Sequence, residues 1–111
     1  METKTDFNLK KMRASASRTC AMMKMLSNPD RLLLLCQISL GECCVSDLEE
    51  ALGIYQPTLS QQLGVLRDAT LVSTRRDGKR IYYSVASEQA LAIMRVLHEQ
   101  FCEAKPKRPT H

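Results

Sequence analysis

Apolar positions recur with the period of a helix through most of the chain and give way to β-prone runs only between Leu71 and Val85. From Asp6 to Leu26, Met12, Ala16, Cys20 and Met23 fall on one stripe, with Lys10, Lys11, Arg13 and Arg18 largely off it. This predicts a first amphipathic helix. Ser27-Asn28-Pro29-Asp30 then sets a capping residue before a proline at the first helical position and an acid at the next, so a second helix starts there. Its run RLLLLCQISL is apolar nearly all round and is expected to be buried, ending near Gly41.

Ser46 and Glu49 stand at capping-box spacing for a short third helix that Gly53 can terminate. Pro57 opens the fourth, leaving a short glycine-containing turn between two helices, which is helix-turn-helix spacing. Leu59, Leu63 and Leu66 give that fourth helix an apolar face, while Gln56, Thr58, Ser60, Gln61 and Gln62 make the rest polar and uncharged. LVSTRR and KRIYYSV, joined through Asp77-Gly78, predict a β-hairpin with a two-residue turn. Ser87 can cap a last helix, with Leu91, Met94, Leu97 and Phe101 at core spacing, and the basic tail 105–111 is expected to be disordered. The predicted fold is mainly α with a small hairpin: a winged helix-turn-helix of about five helices and a two-stranded wing. It forms one domain over 1–104, with the helix-turn-helix at about 47–69 and the wing at about 71–85.

Length and composition narrow the function. A chain of 111 residues with 44% hydrophobic content supports one core. With no apolar stretch long enough to span a membrane and no secretion-signal pattern at the start, it reads as soluble and cytoplasmic. A formal charge of +4 suits an anionic partner without requiring one, so the distribution of charge decides. Here a Gln/Thr/Ser face offers donors and acceptors to base edges without repelling phosphate. Arg75, Arg76, Lys79 and Arg80 crowd a projecting hairpin, where backbone phosphates or a minor groove lie in reach. The partner these features fit is double-stranded DNA. There is no Cys-x-x-Cys and no phosphate-cradling glycine loop, so an enzyme is not expected and no cofactor is called for.

The segments SNPDRLLLL, GECCVSDLEEALGIYQPTLSQQLGVLRDATLV and RRDGKRIYYSV, in that order over Asn28 to Val85, resemble the ArsR/SmtB family of winged helix-turn-helix repressors. The resemblance implies a homodimer built from the first and last helices, at about 6–26 and 87–104. It also implies a near-palindromic operator and repression relieved by an inducer.

Five cysteines bear on which inducer. Many metal sensors of the family carry Cys-Val-Cys-Asp-Leu before the reading unit; here Cys44-Val45-Ser46-Asp47-Leu48 has lost the second thiol. Cys43 with Cys44, or His98 with Cys102, remains the alternative: a metal or metalloid responsive repressor. Each set is short of the three or four ligands such ions take, and no metal site is assigned. LLLLC, and the cysteine of QFC 66 positions later, are similar to the BigR and SqrR group of persulfide-responsive repressors. By that resemblance Cys36 and Cys102 are the sensor thiols, and reactive sulfur species the inducer. A disulfide needs Cα atoms about 4.4 to 6.8 Å apart, so thiols held further apart would accept a bridge with extra sulfurs more readily.

Overall fold

The computed structural model describes residues 8–102, so the expected start of the first helix at Asp6, the end of the last at 103–104 and the tail 105–111 lie outside the described residues. Five α-helices and a three-stranded antiparallel sheet follow in the order α1 (Leu9–Leu26), α2 (Pro29–Leu40), β1 (Cys43–Cys44), α3 (Val45–Leu52), α4 (Thr58–Asp68), β2 (Val72–Asp77), β3 (Arg80–Val85) and α5 (Glu88–Leu97). A π-helical turn, His98–Cys102, closes the described chain. This is the winged helix-turn-helix that the pattern predicts.

The helix starts follow local chemistry. Asn8, Asn28 and Ser87 cap α1, α2 and α5, each side chain accepting from a backbone N–H three residues on. At α3 the expectation needs correcting, because Cys44 rather than Ser46 is the cap residue. Asp47 reaches back to accept from the Cys44 N–H at 3.1 Å, and Ser46 lies inside the first turn. Gly53 ends α3 in the left-handed region at φ +69°, where a side chain would be strained. The end of α4 uses the same device with a different residue. Leu71 N–H bonds to Leu66 O at 3.0 Å and Thr70 N–H to Arg67 O at 2.9 Å, a pattern that places Thr70 at φ +60°.

The wing gains a strand the hairpin pattern does not show. Cys43 and Cys44 pair with Tyr83 and Tyr82, so the sheet order is β1-β3-β2. Asp77 pairs with Arg80, which makes Gly78-Lys79 the two-residue turn, one position later than expected. Gly78 takes the left-handed first position at φ +64°.

The core gathers Leu34, Leu35 and Ile38 of α2, Leu48 of α3, Leu59, Leu63 and Leu66 of α4, and Ala90 and Met94 of α5. Two apolar expectations are overturned. The second helix is buried on one side only, with Leu33 and Leu40 45% and 72% exposed. Phe101 is 80% exposed, because the wider i→i+5 turn after Leu97 rotates it off the stripe that carries Met94. In α1, Met22, Met25 and Leu26 pack partly against the core, while Leu9, Met12 and Met23 are exposed in the single chain.

Candidate DNA interface and thiol site

Helix α4 is fixed from behind by Leu59, Leu63 and Leu66, which leaves its polar residues to be sorted by what they touch. Ser60 and Gln61 are exposed and, among the described residues, without a hydrogen-bond partner for their side chains, as a surface that meets base edges requires. Gln56, also exposed, accepts from the Ser60 N–H at 3.1 Å and so caps the helix it precedes. Thr58 is half-buried. Gln62 turns away from this surface: its Oε1 accepts from Arg31 Nη1 at 3.0 Å. Tyr55, absent from the sequence reading, stands 61% exposed just before the reading helix. An aromatic in a glycine turn was the available signal.

The four wing cations divide similarly. Arg76 and Lys79 are exposed near the hairpin tip. Arg75 makes a two-pronged ion pair with Glu42, at 2.7 and 2.9 Å, and lies over the Tyr82 ring at 4.7 Å. The same bond holds the Glu42 carboxyl below the usual carboxylate range. Arg80 interacts with the Tyr82 hydroxyl and the Cys44 thiol, and its charge joins the Cys44 hydrogen bonds in keeping Asp47 ionised.

All five cysteines are free thiols. Cys36, half-buried on α2, directs its Sγ to the Met94 Sδ at 3.6 Å. Burial pushes this thiol above its ordinary value, and a charge on Cys102 would push it further. A cavity of about 400 Å³ opens beside Cys36, lined among others by Ser39, Leu91, Met94, Arg95 and His98. Cys102 is exposed on the π-helical turn. Cys36 thus sits where α2 meets α5, and Cys102 lies on the turn that follows α5.

The other cysteines are held apart. Cys43 Sγ donates to Gly41 O at 3.2 Å, while Cys44 Sγ meets Ser46 Oγ at 3.3 Å. As successive strand residues the two point to opposite faces and do not converge on one ion. Among the described residues no group of three or more His, Cys, Asp and Glu is placed to hold a metal.

The profile of the family described as "Bacterial regulatory protein, arsR family" matches residues 28–74. A biofilm growth-associated repressor of Agrobacterium fabrum is 45% identical over 91 residues, spanning 82% of this chain and 78% of the relative. The chain belongs to the ArsR family. The crystal structure of the transcriptional repressor BigR from Xylella fastidiosa matches with a TM-score of 0.83 at 41% identity, over 88% of this chain and all of that one. Reduced HlyU from Vibrio cholerae matches with a TM-score of 0.80 at 30% identity, over 85% of this chain and 99% of that one. As an ArsR-family protein of the BigR repressor type, the chain is a DNA-binding transcriptional regulator and not an enzyme, and operator DNA is its partner. No described helix is long and apolar enough to cross a membrane.

Proposed function

We propose that the chain is a homodimeric repressor whose operator binding is relieved when Cys36 and Cys102 are bridged by sulfur from a persulfide or polysulfide, so that it controls genes for reactive-sulfur detoxification. The observation that carries this is the placement of the Cys36 thiol: half-buried, 3.6 Å from Met94 of α5, and beside a cavity whose lining reaches His98, in the same π-helical turn as Cys102. The dimer is supported by α1, which exposes Leu9, Met12 and Met23 in the single chain, and by Val96 of α5, 54% exposed. Ser60, Gln61, Gln56 and Thr58 would address the major groove, and Arg76, Lys79 and Arg80 the phosphates, with Arg75 engaged mainly in holding the wing.

The chemistry balances without a metal. The Cys36 thiolate attacks the outer sulfur of R–S–SH, the S–S bond breaks, and RSH departs with a proton, leaving Cys36 as –S–SH. Cys102 takes up a sulfur in the same way. The Cys36 persulfide anion then attacks the Sγ of the Cys102 persulfide and expels HS⁻, which closes a trisulfide. Direct attack of the Cys102 thiolate on Cys36 Sγ, also expelling HS⁻, closes a disulfide. Either bridge ties α2, which packs against the reading unit, to the end of the last helix. A bias of about 1.4 kcal/mol against the DNA-competent arrangement lowers affinity tenfold.

The deciding experiment measures binding to the chain's own promoter with reduced, persulfide-treated, peroxide-treated and metal-loaded protein. Loss of binding with persulfide, absent in Cys36→Ser and in Cys102→Ser and accompanied by a crosslinked Cys36–Cys102 peptide of matching mass, is the expected result. Persulfide-treated protein that still binds, or a metal effect abolished by Cys44→Ser, overturns the reading.

A further inference from the structure

Arg31 occupies a position that neither base reading nor thiol chemistry uses. It lies in the first turn of α2, where its backbone N–H is fixed by the Asn28 cap at 3.0 Å, and its guanidinium divides among three groups. Nε donates to Met25 O at 2.9 Å, Nη2 to Lys24 O at 3.3 Å and Nη1 to Gln62 Oε1 at 3.0 Å. The two carbonyls belong to the last turn of α1, where the helix dipole favours a cation; Lys24 O also accepts from the N–H and hydroxyl of Ser27. Gln62, 31 positions after Arg31, lies on the reading helix. One side chain therefore joins the end of α1 to α4. The guanidinium spreads its donors over three nitrogens and so reaches separated acceptors on two helices, whereas the three donors of lysine radiate from a single nitrogen.

We propose that Arg31 is the positioning residue of the reading helix: it sets α4 relative to α1, with Gln62 as its anchor rather than a base reader. The inference rests on DNA binding through α4 and, for one measurement, on the dimer proposed above. Without the strut, α4 keeps its apolar seat on Leu59, Leu63 and Leu66 but loses the polar tie that fixes its tilt towards α1. A base-reading glutamine has a different signature, because its loss erases preference at one base pair.

The test uses the full chain and a duplex selected by the wild type from a random pool, together with all single-base variants of that duplex. Arg31→Lys and Gln62→Leu are each expected to weaken binding about tenfold, evenly across the variants, and the double variant no further. Gln62→Glu, which keeps an acceptor for Arg31, is expected to retain the wild-type order of base preference. A one-base-pair insertion at the centre of the site should cost the wild type affinity and cost Arg31→Lys less. Melting curves confirm that each variant is folded at the assay temperature. The proposal is overturned if folded Arg31→Lys binds like the wild type, or if Gln62→Leu loses discrimination at one base pair alone. A monomeric mass for the wild type in sedimentation refutes the dimer and leaves the base-preference result to decide the role of Arg31.

Discussion

Replacing Met94 with leucine removes the sulfur acceptor that the Cys36 thiol meets. Met94 is 2% exposed, and its Sδ lies 3.6 Å from the Cys36 Sγ. Leucine fills nearly the same volume, so folding stability should fall by less than about 1.5 kcal/mol and the desolvation of Cys36 should persist. What disappears is the acceptor for the S–H. A neutral hydrogen bond contributes about 0.5–1.5 kcal/mol, and with a weak thioether acceptor about 0.7 kcal/mol is reasonable. Because that bond exists only in the protonated form, its loss favours the thiolate, and about 0.7 kcal/mol corresponds to roughly threefold. Burial raises the wild-type thiol above its ordinary value, so the thiolate is a minor form at neutral pH and the alkylation rate should climb through the alkaline range. The assay is the rate of iodoacetamide modification of Cys36 against pH, followed by peptide mass in a background where the other cysteines are serine. Met94→Leu should react about threefold faster at neutral pH, with its midpoint moved down. Identical profiles for the two proteins would refute the view that the thioether restrains this thiol.

Four further outcomes are expected. Leu63→Ala, at a position 2% exposed beneath the reading helix, should cost about 2.7–5 kcal/mol in denaturant unfolding. Thr70→Gly, which relieves a β-branched residue at φ +60°, should stabilise by about 1 kcal/mol in the same assay without changing DNA affinity. Lys79→Ala should lower the slope of log affinity against log salt by about 0.9 and leave base preference untouched. Asp47 is held below its ordinary 3.8 chiefly by the Cys44 N–H, so its contribution is present above that value and is lost as pH falls through the lower folded one. Acid unfolding curves of wild type and Asp47→Asn should therefore differ at neutral pH and converge in strong acid.

The helix-turn-helix was legible because its signals are local: a glycine at a left-handed turn, three leucines at helical spacing, and a hairpin around a glycine. Most of the missed features depend on groups distant in sequence. Cys43-Cys44 reads as a loop until Tyr82 and Tyr83 supply the strand to pair with it. The α3 cap is a local exception: Ser46 has capping chemistry, yet the cap falls two positions earlier, where Asp47 can reach the Cys44 N–H. Gln62 and Ser60 have similar composition, and only Arg31, 31 positions away, separates an anchored side chain from a free one. Arg75 looked like its neighbours until Glu42 engaged it. In the thiol site the cysteines were visible in sequence, whereas the Met94 contact and the cavity arise from the packing of α2 on α5.

These contacts share an element. Arg31 in the first turn of α2 holds the reading helix, Cys36 in its middle faces the last helix, and Glu42, two residues past its end, holds the wing through Arg75. At about 1.5 Å per residue, Arg31 and Cys36 lie within roughly 8 Å along one helix axis. A helix transmits a shift as a rigid body, because its hydrogen-bond ladder resists bending more than side-chain packing resists sliding. Under the bridge proposed above, drawing Cys36 towards Cys102 would pull on Arg31 through the helix and on Glu42 through the Gly41 link at its end. One thiol event would then act on both the reading helix and the wing, with no separate relay.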